Sequence, residues 1–310
     1  MTQHASIDIG TNSTRLLVAD VVDRKIEPLF YAERLTKLGS GLQPDGHVSE
    51  DAQTRVLDAL TEFQEKLRDF QVHQVQVFAT SATRDAKNRA QFLKKIKQRT
   101  GWTCRVLSGE EEAKLSFLGV ISDLQMSGDY VVCDVGGGSS ECIFARNSEM
   151  QQVASLNVGS NRMTRRFFFF FPPTIEQIKA TREFIRESLT DFELGSAKIE
   201  QIVAVGGTAS TLALMDARSS IKTPYQAHFY KLQNETLENW IDELSRKTVK
   251  ERQTIIGLNP QRADVILGGA LIFAEILTYM QQTSMIVSLR DLLFGIFLEK
   301  DDDGNSRETL

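Results

Sequence analysis

Asp134-Val135-Gly136-Gly137-Gly138-Ser139-Ser140-Glu141 is the stretch whose reading decides the fold. Tyr130-Val131-Val132-Cys133 precedes it and Cys142-Ile143-Phe144-Ala145 follows. Both flanks are short apolar runs rich in β-branched or aromatic residues, and both predict strands. Two strands joined through consecutive glycines form a hairpin whose backbone can approach a ligand with no Cβ in the way. The N–H groups of such a turn make a nest suited to phosphate oxygens. Asp134 and Glu141, one at each end, are the residue types that hold a hard cation between protein and phosphate. The plainer alternative is a hairpin that only turns the chain, with Asp134 as a turn residue and Glu141 as an exposed strand residue.

The pattern occurs twice. Ser6-Ile7-Asp8-Ile9-Gly10 predicts a strand, Thr11-Asn12-Ser13 a tight turn, and Thr14 to Val22 the returning strand. Asp8-Ile9-Gly10-Thr11-Asn12-Ser13 therefore parallels Asp134-Val135-Gly136-Gly137-Gly138-Ser139. Repetition in the same strand context, near the start of each half, predicts two related domains, residues 1–125 and 126–310. A linker near Asp123 to Gly128 joins them, with the option that the terminal helix packs back on the first domain.

At 310 residues the chain is long enough for two full cores. Its 41% hydrophobic and 25% charged residues are those of an ordinary soluble globular protein. A net charge of −5 argues against duplex nucleic acid as a partner, and leaves room for a local basic pocket. Cys104, Cys133 and Cys142 lack metal-ligand spacing. Cys133 and Cys142 can face each other across the hairpin, and as buried thiols rather than a disulfide they fit a reducing, cytoplasmic setting. No apolar stretch reaches membrane-spanning length, and the polar opening Thr2-Gln3-His4 shows no signal peptide, so no membrane partner is expected. The polar tail from Asp301 to Leu310 is expected to be frayed.

Between the hairpins, Leu35 to Ser49 is a loop with Gly39, Gly41, Pro44 and Gly46, and Ser49 caps a helix from Glu50 to about Phe70. A strand over Gln74 to Ala79 leads through Thr80-Ser81-Ala82-Thr83-Arg84-Asp85 into a helix reaching about Thr100. Arg105 to Leu107 is a short strand, and Glu110-Glu111-Glu112 opens another helix. In the second half, Val153 to Val158 is a strand, and Gly159 to Phe171 a helix or loop-helix. Thr174 and Gln177 form a capping box for a helix to about Phe192. Ile199 to Val205 is a strand that meets Gly206-Gly207-Thr208 and a helix. Leu237 to Leu244 and Pro260 to Gln281 are further helices, Met285 to Ser288 a strand, and Leu292 to Leu298 a terminal helix. Alternating strands and helices indicate an α/β architecture.

Taken together, Asp8-x-Gly10-x-Asn12-Ser13, Ser108-Gly109-x-Glu111-Glu112-Ala113, Asp134-x-Gly-Gly-Gly-Ser139-x-Glu141 and Gly206-Gly207-Thr208 resemble, in this order, the exopolyphosphatase/guanosine pentaphosphate phosphohydrolase family. Thr83-Arg84-Asp85-Ala86, Gly159 to Arg162 and Arg262-Ala263-Asp264-Val265-Ile266 support the match, which covers nearly the whole chain. The resemblance is to the short branch, and it implies two ribonuclease-H-like lobes of the actin-like ATPase superfamily with an inter-lobe cleft. One stretch departs from the family: Ser288-Leu289-Arg290-Asp291-Leu292 lacks the glycines usual there, which leaves the role of Arg290 open.

The resemblance also implies roles. Glu112 matches the family's catalytic glutamate, which orients and deprotonates water; Glu111 is the second choice, and acids at a helix start also serve the helix dipole. Asp134 and Glu141 would hold Mg²⁺, with Asp8 contributing through water. Asn12, Ser13, Gly136, Gly137, Gly138 and Ser139 would donate to phosphate oxygens, and Gly206, Gly207 and Thr208 would offer a helix N-terminus. Arg84 and Arg15 match arginines near the reacting phosphate, and Arg162 and Arg262 match positions farther along the polyanion. Arg165 and Arg166 have no family match. The implied substrate is polyphosphate or guanosine pentaphosphate, which share a terminal phosphoanhydride, and a homodimer is common in the family. A sugar- or acetate-kinase-like phosphotransferase and a non-catalytic sensor of guanosine tetraphosphate or polyphosphate are the competing readings. The run Phe167 to Phe171 is expected to bury alternate rings, with a partner surface as the sharper reading.

Overall fold

The computed structural model describes residues 2–195, 197–220 and 224–299. It divides into two compact units, residues 2–124 with 290–299, and residues 125–289. The segment Arg290–Glu299 belongs to the first unit.

In the first unit, strands β1 (Thr2–Ile9), β2 (Thr14–Val22) and β3 (Lys25–Arg34) form an antiparallel meander. Helix α1 (Glu50–Leu67), strand β4 (Val72–Ala79), helices α2 (Ser81–Asp85) and α3 (Arg89–Thr100), strand β5 (Cys104–Val106) and helix α4 (Gly109–Ile121) follow. The sheet order is β3-β2-β1-β4-β5, with β4 parallel to β1 and β5 parallel to β4. β3 was not legible as a strand. Pro28 interrupts its pattern at a register shift, and Leu29 and Tyr31 are exposed; an edge strand tolerates both.

In the second unit, β6 (Asp129–Val135), β7 (Ser140–Arg146) and β8 (Glu149–Leu156) form another meander. Helices α5 (Ser160–Phe167) and α6 (Ile175–Leu189), strand β9 (Gln201–Val205), helix α7 (Gly206–Asp216), strand β10 (Lys231–Gln233), helices α8 (Asn234–Ser245), α9 (Val249–Arg252) and α10 (Ile266–Tyr279) and strand β11 (Ser284–Val287) complete it. Its sheet order is β10-β11-β9-β6-β7-β8. Without β10, this is the first sheet's arrangement again: a meander, then strands parallel to its first member. The repeat extends to detail. Both meanders shift register midway along their second strand pair, and both turn it through two non-glycine residues at positive φ, Asp23-Arg24 and Asn147-Ser148. Each unit thus has the ribonuclease-H-like order expected of it.

Strand alternation sends Leu16 and Val18 to one face of the first sheet and Leu17 and Ala19 to the other, so two cores form. α1 and α3 cover the first face; Leu115 and the apolar residues of Leu292–Leu298 cover the second. The second unit has one large core, through which α10 runs buried from Ile266 to Leu277, as its all-round apolar sequence requires. Phe168 is buried, Phe167 and Phe171 are half-buried, and Phe169 and Phe170 are exposed. Among the described residues no helix is long and apolar enough to cross a membrane.

Candidate functional site

The singled-out residues fall into one group per unit, each at the carboxyl ends of parallel strands, where open α/β sheets place their ligand-binding turns. In the first unit the Gly10–Ser13 turn is closed by the Gly10 N–H donating to the Ser13 carbonyl at 2.9 Å. The Thr11 and Asn12 carbonyls accept from the N–H groups of Gly39 and Lys37, each at 2.8 Å. In a trans peptide the next N–H points the opposite way, so those of Asn12 and Ser13 turn to the other side of the loop. The Asn12 side chain is buried, and among the described residues neither its amide nitrogen nor its oxygen has a hydrogen-bond partner. Buried amides are nearly always satisfied, so an unanswered one beside a nest is a candidate ligand position.

Arg15, expected at phosphate, pairs with two carboxylates of its own unit. Its Nε and Nη2 donate to Asp8 Oδ2 at 3.0 and 2.7 Å, and its Nη1 bonds Asp291. Burial opposes the guanidinium charge, but Asp291 and Asp8 more than offset it and raise its pKa well above the usual value. Arg15 is matched by two carboxylates and fixes Asp8. Burial pushes the Asp8 pKa up, against the pull of Arg15, and among the described residues the buried Asp8 Oδ1 has no partner.

The run Glu110-Glu111-Glu112 is sorted by the N-cap of α4. Ser108 Oγ accepts from the Glu111 N–H at 3.1 Å, and Glu111 Oε2 accepts from the Ser108 N–H at 2.7 Å, a reciprocal capping box. Glu111 also binds Arg105 at 2.5 Å. Glu112, one position on, is buried, and its Oε2 accepts from Arg84 Nη1 at 3.0 Å. The same Arg84 nitrogen donates to the Leu107 carbonyl at 2.9 Å, which fixes the guanidinium against the segment that leads into α4.

In the second unit Gly136 N–H donates to the Ser139 carbonyl at 3.1 Å, the same closure as at Gly10. The first turn of α5 backs the glycines. Ser160 N–H reaches the Gly136 carbonyl at 2.9 Å, Asn161 and Arg162 N–H reach that of Gly137 at 2.9 and 3.0 Å, and Arg162 Nε reaches that of Gly138 at 2.6 Å. With these carbonyls committed to α5, the N–H groups of Gly137, Gly138 and Ser139 point away from it. The approach requires Gly159: a Cβ there would stand 2.6 Å from Gly137 and Gly138 backbone atoms. Arg162 therefore supports the turn through its side chain, beyond the phosphate contact expected of it.

Asp134 and Glu141 are direct cross-strand partners, so their Cβ atoms share one face of the hairpin. Both are buried, which removes the exposed-strand alternative for Glu141. Ser155 Oγ donates to Glu141 Oε1 at 2.8 Å. Asp134 Oδ1 lies 2.7 Å from where a Cβ on Gly206 would sit, and Gly206 has φ +89°, so only glycine lets α7 start there with the carboxylate against its first residue. The positive end of the helix dipole favours that charge. The Arg262 guanidinium lies over Gly207, whose Cβ would come within 2.5 Å of it. Thr208 packs its methyl on Gly269 of α10, so its side chain serves helix packing. Two buried carboxylates beside phosphate-type donors fit a hard cation that keeps its waters and uses one or two protein oxygens. Among the described residues no group of three or more His, Cys, Asp or Glu gathers into a ready-made metal cage.

Sequence reasoning missed Asp291, the second partner of Arg15, although it lies in the stretch that departs from the family pattern. Arg290, its neighbour, pairs with Asp123 at 2.6 Å and stacks on Phe294, a structural role. Gly159 was within a quoted segment, but its function as backing for a distant turn had no local signal.

A sequence profile of the Ppx/GppA phosphatase family matches residues 17–302. The chain belongs to this family. Exopolyphosphatase 2 of Mycobacterium tuberculosis is 32% identical over 96% of this chain and 98% of its own length. The bifunctional 3-dehydroquinate synthase/phosphatase of Fusobacterium nucleatum is also 32% identical over 95% of this chain, which spans only 46% of that longer protein. The crystal structure of the Aquifex aeolicus Ppx/GppA family member matches with a TM-score of 0.81 and 32% identity, over 95% of this chain and 96% of that one.

Proposed function

We propose that this Ppx/GppA family member hydrolyses a terminal phosphoanhydride, releasing orthophosphate from inorganic polyphosphate, with the 5′-γ-phosphate of guanosine pentaphosphate as the alternative substrate end. The observation that carries the reading is the division of labour at the start of α4: Glu111 closes the cap, and the buried Glu112 carboxylate is turned to Arg84. In-line attack by water needs a base, fixed donors and counter-charge. Glu112 orients and deprotonates the water, and Arg84 positions it and adds positive charge. In the first unit the N–H groups of Asn12 and Ser13 are donors for phosphoryl oxygens, and in the second unit, taken by itself, so are those of Gly137, Gly138 and Ser139. Asp134 and Glu141 would hold Mg²⁺; bound there, the ion supplies counter-charge to phosphate oxygens. Buried carboxylates beside an anion-binding turn favour such a cation, because like charges alone would repel the substrate. The near full-length match to a protein named exopolyphosphatase 2 supports polyphosphate as the first choice.

The test is orthophosphate release from long polyphosphate, short polyphosphate and guanosine pentaphosphate side by side, with and without Mg²⁺. Glu112→Gln should lower turnover by about two orders of magnitude while leaving polyphosphate binding in place. ADP formation that requires a small acceptor would identify a phosphotransferase instead, and binding without release under Mg²⁺ a sensor.

A further inference from the structure

The first sheet carries polar residues where its pattern calls for a core. In Val72-His73-Gln74-Val75-Gln76-Val77-Phe78, alternation puts Gln74, Gln76 and Phe78 on one face of β4. The β1 register aligns His4 with Gln74, Ser6 with Gln76 and Asp8 with Phe78, so His4 and Ser6 share that face. Towards the carboxyl ends of β1 and β4 the face is closed: Phe78 packs with Leu115 and Leu292, and Ser6 Oγ donates to the Leu293 carbonyl at 2.8 Å. Towards the other end the cover thins to Ile296–Glu299, and a cavity of about 370 Å³ opens over His4, Gln74 and Gln76 with the Asp23-Arg24 turn at its rim.

Its chemistry is specific. Gln76 Oε1 is buried and, among the described residues, has no hydrogen-bond partner, so it is an acceptor that a ligand donor would answer. The rings of His4 and Phe297, 6.3 Å apart and tilted by 56°, supply an aromatic wall. Burial, with His73 nearby, lowers the His4 pKa, so this wall is uncharged near neutrality. The ionic groups cancel: Asp23 stands beside Arg24, and Glu299 is held by Arg105 at 2.7 and 3.2 Å. A polyanion has no net attraction to such a lining. The volume falls in the range of small-molecule pockets.

We infer that this cavity, at the opposite end of β1 from the Asn12 turn, binds a neutral flat heteroaromatic bearing an exocyclic amino group, the chemistry of adenosine or cytidine. The amino group donates to Gln76 Oε1, and the ring lies against Phe297. The site is independent of the phosphohydrolase reading. Titration calorimetry of the full chain with adenosine and cytidine, and with inosine and uridine, which carry a carbonyl in place of the amino group, tests it. Expected are one-to-one binding of an amino nucleoside and weakening by about tenfold or more for its carbonyl counterpart, for Gln76→Leu and for Phe297→Ala, with thermal melts showing each variant folded. Glu112→Gln should bind the nucleoside as the parent does, whatever its effect on phosphate release. Absence of heat with any of the four nucleosides at millimolar concentration, equal binding by folded Gln76→Leu and Phe297→Ala, or loss of binding in Glu112→Gln would each overturn the assignment.

Discussion

Asn12 has a buried amide that no described residue answers, and Glu112 a buried carboxylate that accepts from Arg84. The Asn12 amide is retained against stability, since an unsatisfied buried polar atom costs about 1–3 kcal/mol. Asn12→Ala should therefore lower phosphate release by about tenfold or more while leaving the melting temperature unchanged or raised; a large drop in melting temperature would make Asn12 a structural residue. The same scale explains why three adjacent glutamates could not be ranked by composition. Glu111 and Glu112 are equally acidic on paper, and only cap geometry assigns one to the Ser108 N–H and the other to Arg84. Arg15 shows the reverse: an arginine that matched a phosphate-binding position is committed to Asp8 and Asp291.

Helix α4 and the Gly10–Ser13 turn in the first unit, and the Gly136–Ser139 turn in the second, are the elements that carry each unit's candidate residues. The Glu111 pKa is lowered: burial opposes this, but the Ser108 N–H and Arg105 outweigh it. A carboxylate whose folded pKa is depressed adds stability that is present above its unfolded value of 4.5 and lost as pH falls through the folded one. Glu111→Gln keeps the cap's shape without the charge. Urea midpoints measured from about pH 7 down to about pH 3 should show the parent's advantage over this variant shrinking below the unfolded pKa; a constant gap would assign the cap a purely neutral role. Both turns needed support that no local pattern announces. Lys37–Gly39 backs the first and Gly159–Arg162 the second, in each case the segment that follows the third strand of the meander.

At the scale of the whole molecule the second unit is continuous in sequence, whereas the first is completed by residues from beyond it. Leu292, Leu293, Phe294, Ile296 and Leu298 close one of the first unit's two cores. Each such side chain is worth about 1.5–3 kcal/mol when buried, against a total stability of about 5–15 kcal/mol. A chain ending at Leu289 should lose hydrogen-exchange protection throughout residues 2–124 and keep it in residues 125–289; retained protection in the first unit would show that core to be dispensable. The repeated Asp-x-Gly hairpins, the α/β alternation and the family motifs were all legible from the chain, because strand periodicity and turn glycines act over a few neighbouring residues. What the sequence could not reveal was β3, whose Pro28 and exposed Leu29 hide an edge strand, and the pairing of Arg15 with Asp291, 276 positions away. Local order follows from local sterics and so can be read in a line of residues; which carboxylate meets which arginine is decided by the packing that brings remote segments to one place.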